Sequence, residues 1–217
     1  MESDCWVGGK VFFVSGYTIK RRVARLREVM NKNGQEGPDT RDEMEQAVAE
    51  CRALFEKKTR DYGTSWRVMR LPSLTDQIFI KANRIRSIQE SGENRVGDDV
   101  RGEFVAMVNY AVMALMQCDL LVDGDAPLEL PLERAMALYD GQVKLILDLM
   151  MDKNHDYGEA WRQMRVSSMV DLILMKLLRI KQIEDNGGRT LVSEGVEGGY
   201  MDIVNYSLFC LVRMGGE

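Results

Sequence analysis

A motif of ten residues occurs twice in this chain, and this repeat constrains the fold more than any other feature. The motif K-x-x-D-Y-G-x-x-W-R occupies residues 58–67 and returns at residues 153–162, 95 positions later. The same spacing continues into the next segment, and with one inserted residue it aligns Asn109-Tyr110 with Asn205-Tyr206. Two tryptophans, two Asp-Tyr-Gly triplets and two Asn-Tyr pairs in the same order indicate a tandem duplication.

Each copy has the apolar periodicity of three helices. In the first copy the pattern covers about residues 40–58, 73–89 and 99–117. In the second copy it covers about residues 131–153, then a segment from 168 onwards, and a last segment that ends near residue 213. Apolar residues three and four positions apart form one stripe along a helix. Strand-like alternation is weak and confined to residues 11–14, so the sequence predicts an all-helical protein.

Local signals mark the ends of these predicted helices. Thr40-x-x-Glu43, Ser73-x-x-Asp76 and Ser168-x-x-Asp171 have the pattern of capping boxes, in which a hydroxyl and an acid satisfy N-terminal amides. Gly63 is a typical helix stop, because glycine adopts the left-handed conformation without a penalty. The second unit is predicted to begin at Pro131, which suits the first turn of a helix.

Three short helices that each carry one apolar face cannot bury those faces alone, so the two copies are expected to pack together. The predicted fold class is all-α, with two tandem three-helix units packed around a pseudo-twofold axis. The predicted boundaries are an N-terminal arm at residues 1–38, unit one at 39–118, a linker at 119–130 and unit two at 131–217.

Composition excludes several function classes. A net charge of -5 gives no general attraction to nucleic acid or to an anionic membrane. The basic run at residues 20–27 is most often a solvated helix face. Four cysteines without a C-x-x-C pair, and a single histidine, argue against a zinc site. Reduced cysteines and an acidic start favour a cytoplasmic protein, and the longest apolar stretch, residues 104–115, is too short to cross a bilayer.

Polar residues that recur in both copies are the candidate ligand-binding residues, because a repeat kept for packing alone need preserve only apolar residues and turns. Lysine and arginine suit phosphates, an aromatic ring suits a base, and an amide or carboxylate suits a base edge or a sugar hydroxyl. This combination predicts a nucleotide site, although the chain has no glycine-rich phosphate loop of Walker or Rossmann form. The candidate nucleotide-binding residues are Lys58, Asp61, Tyr62, Trp66, Arg67, Lys81, Arg84, Asn109, Lys153, Asp156, Tyr157, Trp161, Arg162, Lys176, Arg179 and Asn205.

A purely structural interpretation explains part of the same set. Buried aromatic residues can anchor one helix on another, and long cationic side chains can extend along an apolar surface into water. Asn109 interrupts an apolar helix and needs a partner, which can be a neighbouring helix or a ligand. A non-catalytic structural or protein-interaction module therefore stays open, as does self-association. It predicts that Lys81 and Arg84 lie exposed or pair with surface acids, and that no pocket joins them to Trp66.

The repeated motif, the K-x-x-R-I of the second predicted helix and the Asn-Tyr pair of the third resemble the Nucleotide modification associated domain 1 family. The resemblance covers about residues 40–214 in both copies. It implies a tandem all-helical protein linked to modified-nucleotide metabolism. The reaction, if there is one, does not follow from the family name.

The helical plan is also similar to that of the MazG-type all-α nucleoside triphosphate pyrophosphatases, which bind Mg²⁺ through an E-x-x-E and an E-x-x-D. Here the second motif is divided between the copies. Glu103 aligns with Gly199, and Asp202 aligns with Ala106. If the chain is an enzyme, this resemblance implies a Mg²⁺-dependent hydrolase of nucleoside triphosphates, with Glu103 and Asp202 as metal ligands pooled across the pseudo-twofold axis.

Overall fold

The computed structural model describes residues 39–95, 97, 99–122, 126–191 and 195–215. The predicted N-terminal arm, with its basic run and its weak strand signal, lies outside the described residues. The compact unit that contains both copies begins at Thr40.

Six helices build this unit, and no strand occurs among the described residues. The all-α prediction is confirmed, with three helices in each copy. Each copy also has one turn of 3-10 helix between its first and second helices. In chain order the elements are α1 (Thr40–Tyr62), a 3-10 turn (Ser65–Val68), α2 (Leu71–Ser91), α3 (Val100–Val122), α4 (Leu132–Tyr157), a 3-10 turn (Ala160–Gln163), α5 (Val166–Asp185) and α6 (Val196–Gly215).

The first helix of each copy ends at the repeated glycine. Gly63 follows α1 with a φ of 62°, and Gly158 follows α4 with a φ of 60°. The amide of each glycine donates to the carbonyl four residues earlier, at 2.9 Å. A residue with a Cβ rarely adopts this left-handed conformation, so the predicted stop at Gly63 is confirmed and its equivalent works in the same way.

The second helix of each copy begins earlier than its predicted capping box. α2 begins at Leu71, with Arg70 at the N-cap and a proline in the first turn, and it has no side-chain cap bond. α5 begins at Val166, with Arg165 at its N-cap and again no side-chain cap. The predicted caps at Ser73 and Ser168 are therefore wrong. A proline in the first turn, which lacks the amide a cap would satisfy, favours the earlier start of α2.

Two reciprocal ion pairs join α2 and α5. Asp76 contacts Lys181 at 2.5 Å, and Arg86 contacts Asp171 at 3.6 Å. Asp76 aligns with Asp171, and Arg86 aligns with Lys181, so each copy contributes the same two positions. Equivalent helices also pack on each other, as α1 on α4, α2 on α5 and α3 on α6. Such reciprocal contacts are the signature of twofold symmetry, here within one chain.

The third helices form the centre of the unit. α3 packs against α6 and also contacts α1, α2 and α4. The segment Val100–Leu121 is apolar and long enough to cross a membrane by length and composition, but 72% of its most apolar window is buried inside the protein. Because α3 contacts four other helices, it is apolar on all of its faces, as is typical of a helix buried in a protein core.

Candidate functional site

Each unit contains one cavity between its first helix, its 3-10 turn and its third helix. The cavity of the first unit has a volume of about 270 Å³, and the cavity of the second has a volume of about 360 Å³. We call them the first and the second aromatic cavity. Equivalent positions line both: Lys58, Tyr62, Trp66, Met69, Asn109 and Tyr110 in the first, and Lys153, Tyr157, Trp161, Met164, Asn205 and Tyr206 in the second.

The two motif tryptophans leave an indole N–H without an acceptor. Trp66 is 8% exposed and Trp161 is 5% exposed, and the Nε1 atom of each is buried without a hydrogen-bond partner. A buried donor without an acceptor costs about 1–3 kcal/mol. The same indole atom thus has no acceptor among the described residues in either copy, and both tryptophans line cavities.

The motif asparagines, in contrast, differ between the copies. Asn109 donates to the carbonyl of Cys51 at 3.0 Å and accepts from the hydroxyl of Tyr139 at 2.8 Å. Asn205 has a buried Oδ1 without a partner, although the residue is only 7% exposed. The position that aligns with Tyr139 is Met44, whose side chain has no hydroxyl. The expected partner of Asn109 is thus a neighbouring helix, whereas Asn205 is available to a ligand.

Both faces of the Trp161 ring are covered. The ring of Phe209 stacks on it with centroids 4.8 Å apart, and the guanidinium of Arg162 lies 4.4 Å from its centroid. Two groups this close to one ring must occupy opposite faces. Trp161 therefore cannot stack on a base, and only its edge is available. The tyrosines of the second aromatic cavity, Tyr157 and Tyr206, are the rings that remain for stacking.

The motif arginines bind protein groups. Arg67 is buried, and its guanidinium donates to Gln117 at 2.6 Å and to the carbonyl of Ala126 at 2.9 Å. Burial lowers the pKa of this guanidinium. Arg162 donates to Glu43 at 2.5 Å and to Glu159 at 2.7 Å.

These contacts give both arginines a scaffolding role. Arg67 binds the linker just before the second unit, and Arg162 joins α1 to the second 3-10 turn. Thr40, the first residue of the predicted capping box, accepts from Arg162 at 2.8 Å. The motif aspartates, Asp61 and Asp156, are exposed and do not line either aromatic cavity.

In the first unit, the cation pair of the second helix is neutralised. Lys81 donates to Glu103 at 2.9 Å, and Arg84 donates to the other oxygen of the same carboxylate. All three side chains are largely buried, with 24%, 22% and 11% of the side chains of Lys81, Arg84 and Glu103 exposed. Neither cation lines the first aromatic cavity.

In the second unit, the equivalent cations line an open recess of about 170 Å³. Lys176 contacts Asp202 at 2.6 Å, whereas Arg179 forms no ion pair or hydrogen bond with any residue that the structure describes. Asp202 is also 3.6 Å from Lys153. We call this space the cationic recess; its lining is Lys176, Arg179, Ile180, Ile183, Gly195, Gly198, Gly199 and Asp202.

The cationic recess and the second aromatic cavity adjoin each other, because Asp202 lines both. In the second unit, Asp202 is thus a wall shared by two neighbouring spaces, with Arg179 lining the recess and Trp161 lining the cavity. In the first unit, Ala106 occupies the place of Asp202 and Glu103 occupies the place of the recess. The two copies share one aromatic cavity design but differ in the position of the acid beside their cations.

The side chains present do not fit the magnesium site that the pyrophosphatase resemblance implies. Mg²⁺ requires clustered oxygen ligands. Glu103 binds Lys81 and Arg84, and Asp202 binds the lysines of its own unit. Within the described part of the chain, no group of three or more acidic, histidine or cysteine side chains is placed to hold a metal ion. A shared ion at Glu103 and Asp202 remains a prediction that these contacts do not support.

The recess glycines are the part of the site that the repeat analysis did not identify as functional. Gly198 and Gly199 lie in the first turn of α6, and Gly195 directly precedes that helix. The signal was visible in the alignment, because a glycine in one copy faces a glutamate in the other. Without coordinates, Gly199 could be interpreted only as the loss of an acid, although it also opens space beside two cations.

The fold and its cavities define a duplicated all-helical protein with one aromatic cavity in each half. The family described as Nucleotide modification associated domain 1 matches residues 58–118 and 153–214, which together are more than half of the chain. The chain belongs to this family, and one match falls in each structural copy, from the end of its first helix to its third helix. Comparisons with curated proteins and with solved structures give no match.

Proposed function

We propose that this protein binds a nucleotide in its second unit, with the base in the second aromatic cavity and a phosphate in the cationic recess. The observation that carries the proposal is that Asp202 lines both spaces, so the cavity and the recess lie side by side. The family name, which refers to nucleotide modification, agrees with this class of ligand.

The chemistry of the second aromatic cavity supports a heterocyclic base. Trp161 offers a hydrogen-bond donor and Asn205 offers an amide, and neither Trp161 Nε1 nor Asn205 Oδ1 has a protein partner. Base edges carry donors and acceptors side by side, so they complement such a pair. Tyr157, which is exposed, and the half-buried Tyr206 supply aromatic faces.

The cationic recess supports a phosphate. Arg179 has no partner among the described residues, and its planar guanidinium suits bidentate binding to phosphate oxygens. Gly198 and Gly199 lie where the amides of a helix N-terminus have no intrahelical acceptors, and their lack of side chains lets a ligand approach the backbone. Asp202, between the two spaces, is placed to accept a bond from a sugar hydroxyl.

The structural alternative fits the first unit better than the second. There no cavity joins the two cations to Trp66, as that alternative predicts, although the acid with which they pair, Glu103, is buried and not a surface acid. We therefore infer that the first unit acts mainly as a scaffold and that binding resides in the second. The proposal concerns binding and includes no catalytic step.

A thermal-shift screen tests the proposal. Deoxynucleosides and their 5′-mono-, di- and triphosphates, with common and modified bases, are added at millimolar concentration. A ligand at about 100 times its dissociation constant should raise stability by roughly 2.7 kcal/mol. The shift should decrease in Trp161→Phe, which lacks the indole donor, and persist in Trp66→Phe, the same change in the first unit. No shift with any phosphorylated nucleoside would contradict the proposal.

A further inference from the structure

The duplication allows the two cation pairs to be compared within one chain. In the first unit, the carboxylate of Glu103 lies between Lys81 and Arg84 and bonds to both. In the second unit, the aligned residue is Gly199, and the space beside the cations is open. The first unit thus has the carboxylate of Glu103 between its two cations, whereas the second unit has an open recess at the equivalent place.

We propose that Glu103 is a built-in substitute for the anionic group of the ligand. The first unit is closed by its own carboxylate, and only the second unit accepts an anion from outside. This inference rests on the proposed function, because it takes the external anion to be the phosphate of a nucleotide. The inference goes beyond the proposed function in two respects. Each chain should bind one phosphorylated ligand, and Glu103 is the residue that limits the number to one.

Charge balance supports the assignment. A largely buried carboxylate is stable only when it is paired, and Glu103 has two cationic partners. In the second unit, Asp202 provides a carboxylate to Lys176 at 2.6 Å, but Arg179 pairs with no acid among the described residues. Within this part of the chain, no carboxylate lies between the two cations of the second unit as Glu103 does in the first.

The space beside Gly199 fits this interpretation. A Cβ at Gly199 would lie 2.8 Å from Cγ1 of Ile180, which lines the cationic recess. Any side chain here therefore requires the buried Ile180 to shift. Ile85 holds the equivalent position in the first unit and is fully buried while Glu103 is present. The first unit thus shows a glutamate and a buried isoleucine packed at these two positions.

Removing Glu103 should open a second anion site. The position that aligns with Asp202 is Ala106, so the first unit has no acid at that place. Without Glu103, Lys81 would lose the carboxylate with which it pairs and would be left to contact a phosphate. The first aromatic cavity, with the unpartnered N–H of Trp66, is already present to receive the base.

The first test is Glu103→Ala in the full chain, compared with Glu90→Ala. Glu90 is an exposed acid that pairs only within its own helix, so its removal gives the same change in net charge. Titration calorimetry with a nucleoside 5′-monophosphate that binds the wild type should give one site in the wild type and in Glu90→Ala, and two sites in Glu103→Ala. Inorganic phosphate should also raise the melting temperature of Glu103→Ala more than that of either other protein.

The second test is the reverse substitution, Gly199→Glu, compared with Gly141→Glu. A Cβ at Gly141 meets no atom within 4 Å, so the control adds the same side chain in open space. Gly199→Glu should weaken binding of the monophosphate at least tenfold, and Gly141→Glu should leave it unchanged. If Glu103→Ala does not fold, this pair decides the question.

The outcomes separate this inference from the proposed function. If the wild type binds no phosphorylated nucleoside, the proposed function fails. If the wild type binds one and folded Glu103→Ala still binds one, without added stabilisation by phosphate, only the inference about Glu103 fails. Two sites in the wild type, or unchanged binding in folded Gly199→Glu, would also overturn it.

Discussion

The hydroxyl of Tyr139 in α4 donates a 2.8 Å hydrogen bond to Oδ1 of Asn109 in α3, and this buried contact joins the two units. Asn109 in turn donates to the carbonyl of Cys51 in α1 at 3.0 Å. A motif residue of the first unit is thereby used for assembly. Its counterpart in the second unit, Asn205, has no such contacts among the described residues, although both asparagines line the cavity of their own unit.

Tyr139→Phe should destabilise the protein. The ring can still stack on Phe55, but Oδ1 of Asn109 would be left buried without a donor, at a cost of about 1–3 kcal/mol. Tyr157→Phe, at an exposed ring, should change stability by no more than about 0.5 kcal/mol. Urea denaturation of the two variants measures the difference. Equal stabilities would contradict the structural role of this bond.

Replacing the two motif asparagines by leucine should have opposite effects. Asn109→Leu removes the acceptor of Tyr139 and the donor to Cys51, so it should cost about 1–3 kcal/mol. Asn205→Leu removes an amide oxygen that has no partner, so the free protein should keep or gain stability. Thermal unfolding without ligand compares the variants. A loss of equal size in both would mean that Asn205 is also a structural residue.

Arg67→Lys should destabilise the protein although the charge is kept. The guanidinium reaches Gln117 and the carbonyl of Ala126 together, and an ammonium cannot reproduce this planar geometry. We expect a loss of about 1–3 kcal/mol, because bonds to a charged, buried group are lost. Arg70→Lys, at an exposed arginine just before α2, is the control and should be neutral. Denaturant titration checks both, and a neutral Arg67→Lys would argue against the scaffolding role.

Glu184 should make stability depend on pH. Burial raises its pKa above the ordinary value of 4.5, while bonds from Thr75 and Tyr200 lower it in part. The folded protein therefore holds this proton more tightly than the unfolded chain does. The resulting stabilisation is complete below the unfolded pKa and is lost as the pH rises through the folded pKa.

Glu184→Gln removes this titration and keeps an oxygen to accept from Thr75. Its free energy of unfolding, relative to the wild type, should therefore increase as the pH rises from about 4 through the folded pKa. Glu93→Gln, at an exposed glutamate, should show no such trend. Denaturation at a series of pH values gives the comparison. A difference that stays constant or falls with pH would contradict the effect assigned to burial.

Much of the fold could be predicted from the sequence, because a tandem duplication is visible when one chain is compared with itself. The spacing between the two motifs located both units, and helical periodicity located all six helices. The helix starts at Leu71 and Val166 were missed, because serine three positions before an acid is also an ordinary surface pattern. Asp76 and Asp171 instead pair with cations across the α2–α5 contact, which only the packing of the units determines.

The candidate site could be predicted only in part. Spacing identified the residues that line the aromatic cavities, including Trp66, Trp161 and Asn205. It could not show that Arg67 points toward carbonyl groups, because side-chain direction depends on the tertiary structure. It also could not show that Glu103 neutralises a cation pair while Gly199 opens a recess. Alignment treats the two copies as equal. The acid that pairs with the cations nevertheless stands at different positions, Glu103 in the first copy and Asp202 in the second.

The most direct measurement is a calorimetric titration of a nucleoside 5′-monophosphate into the wild type and Arg179→Gln, with Arg189→Gln as an exposed control. The account predicts one site per chain in the wild type and unchanged binding in Arg189→Gln. It predicts binding at least tenfold weaker in Arg179→Gln, because a charged hydrogen bond to phosphate contributes about 1.5–3 kcal/mol. Equal affinities for wild type and Arg179→Gln, or no binding of any nucleotide to the wild type, would contradict a phosphate site in the cationic recess.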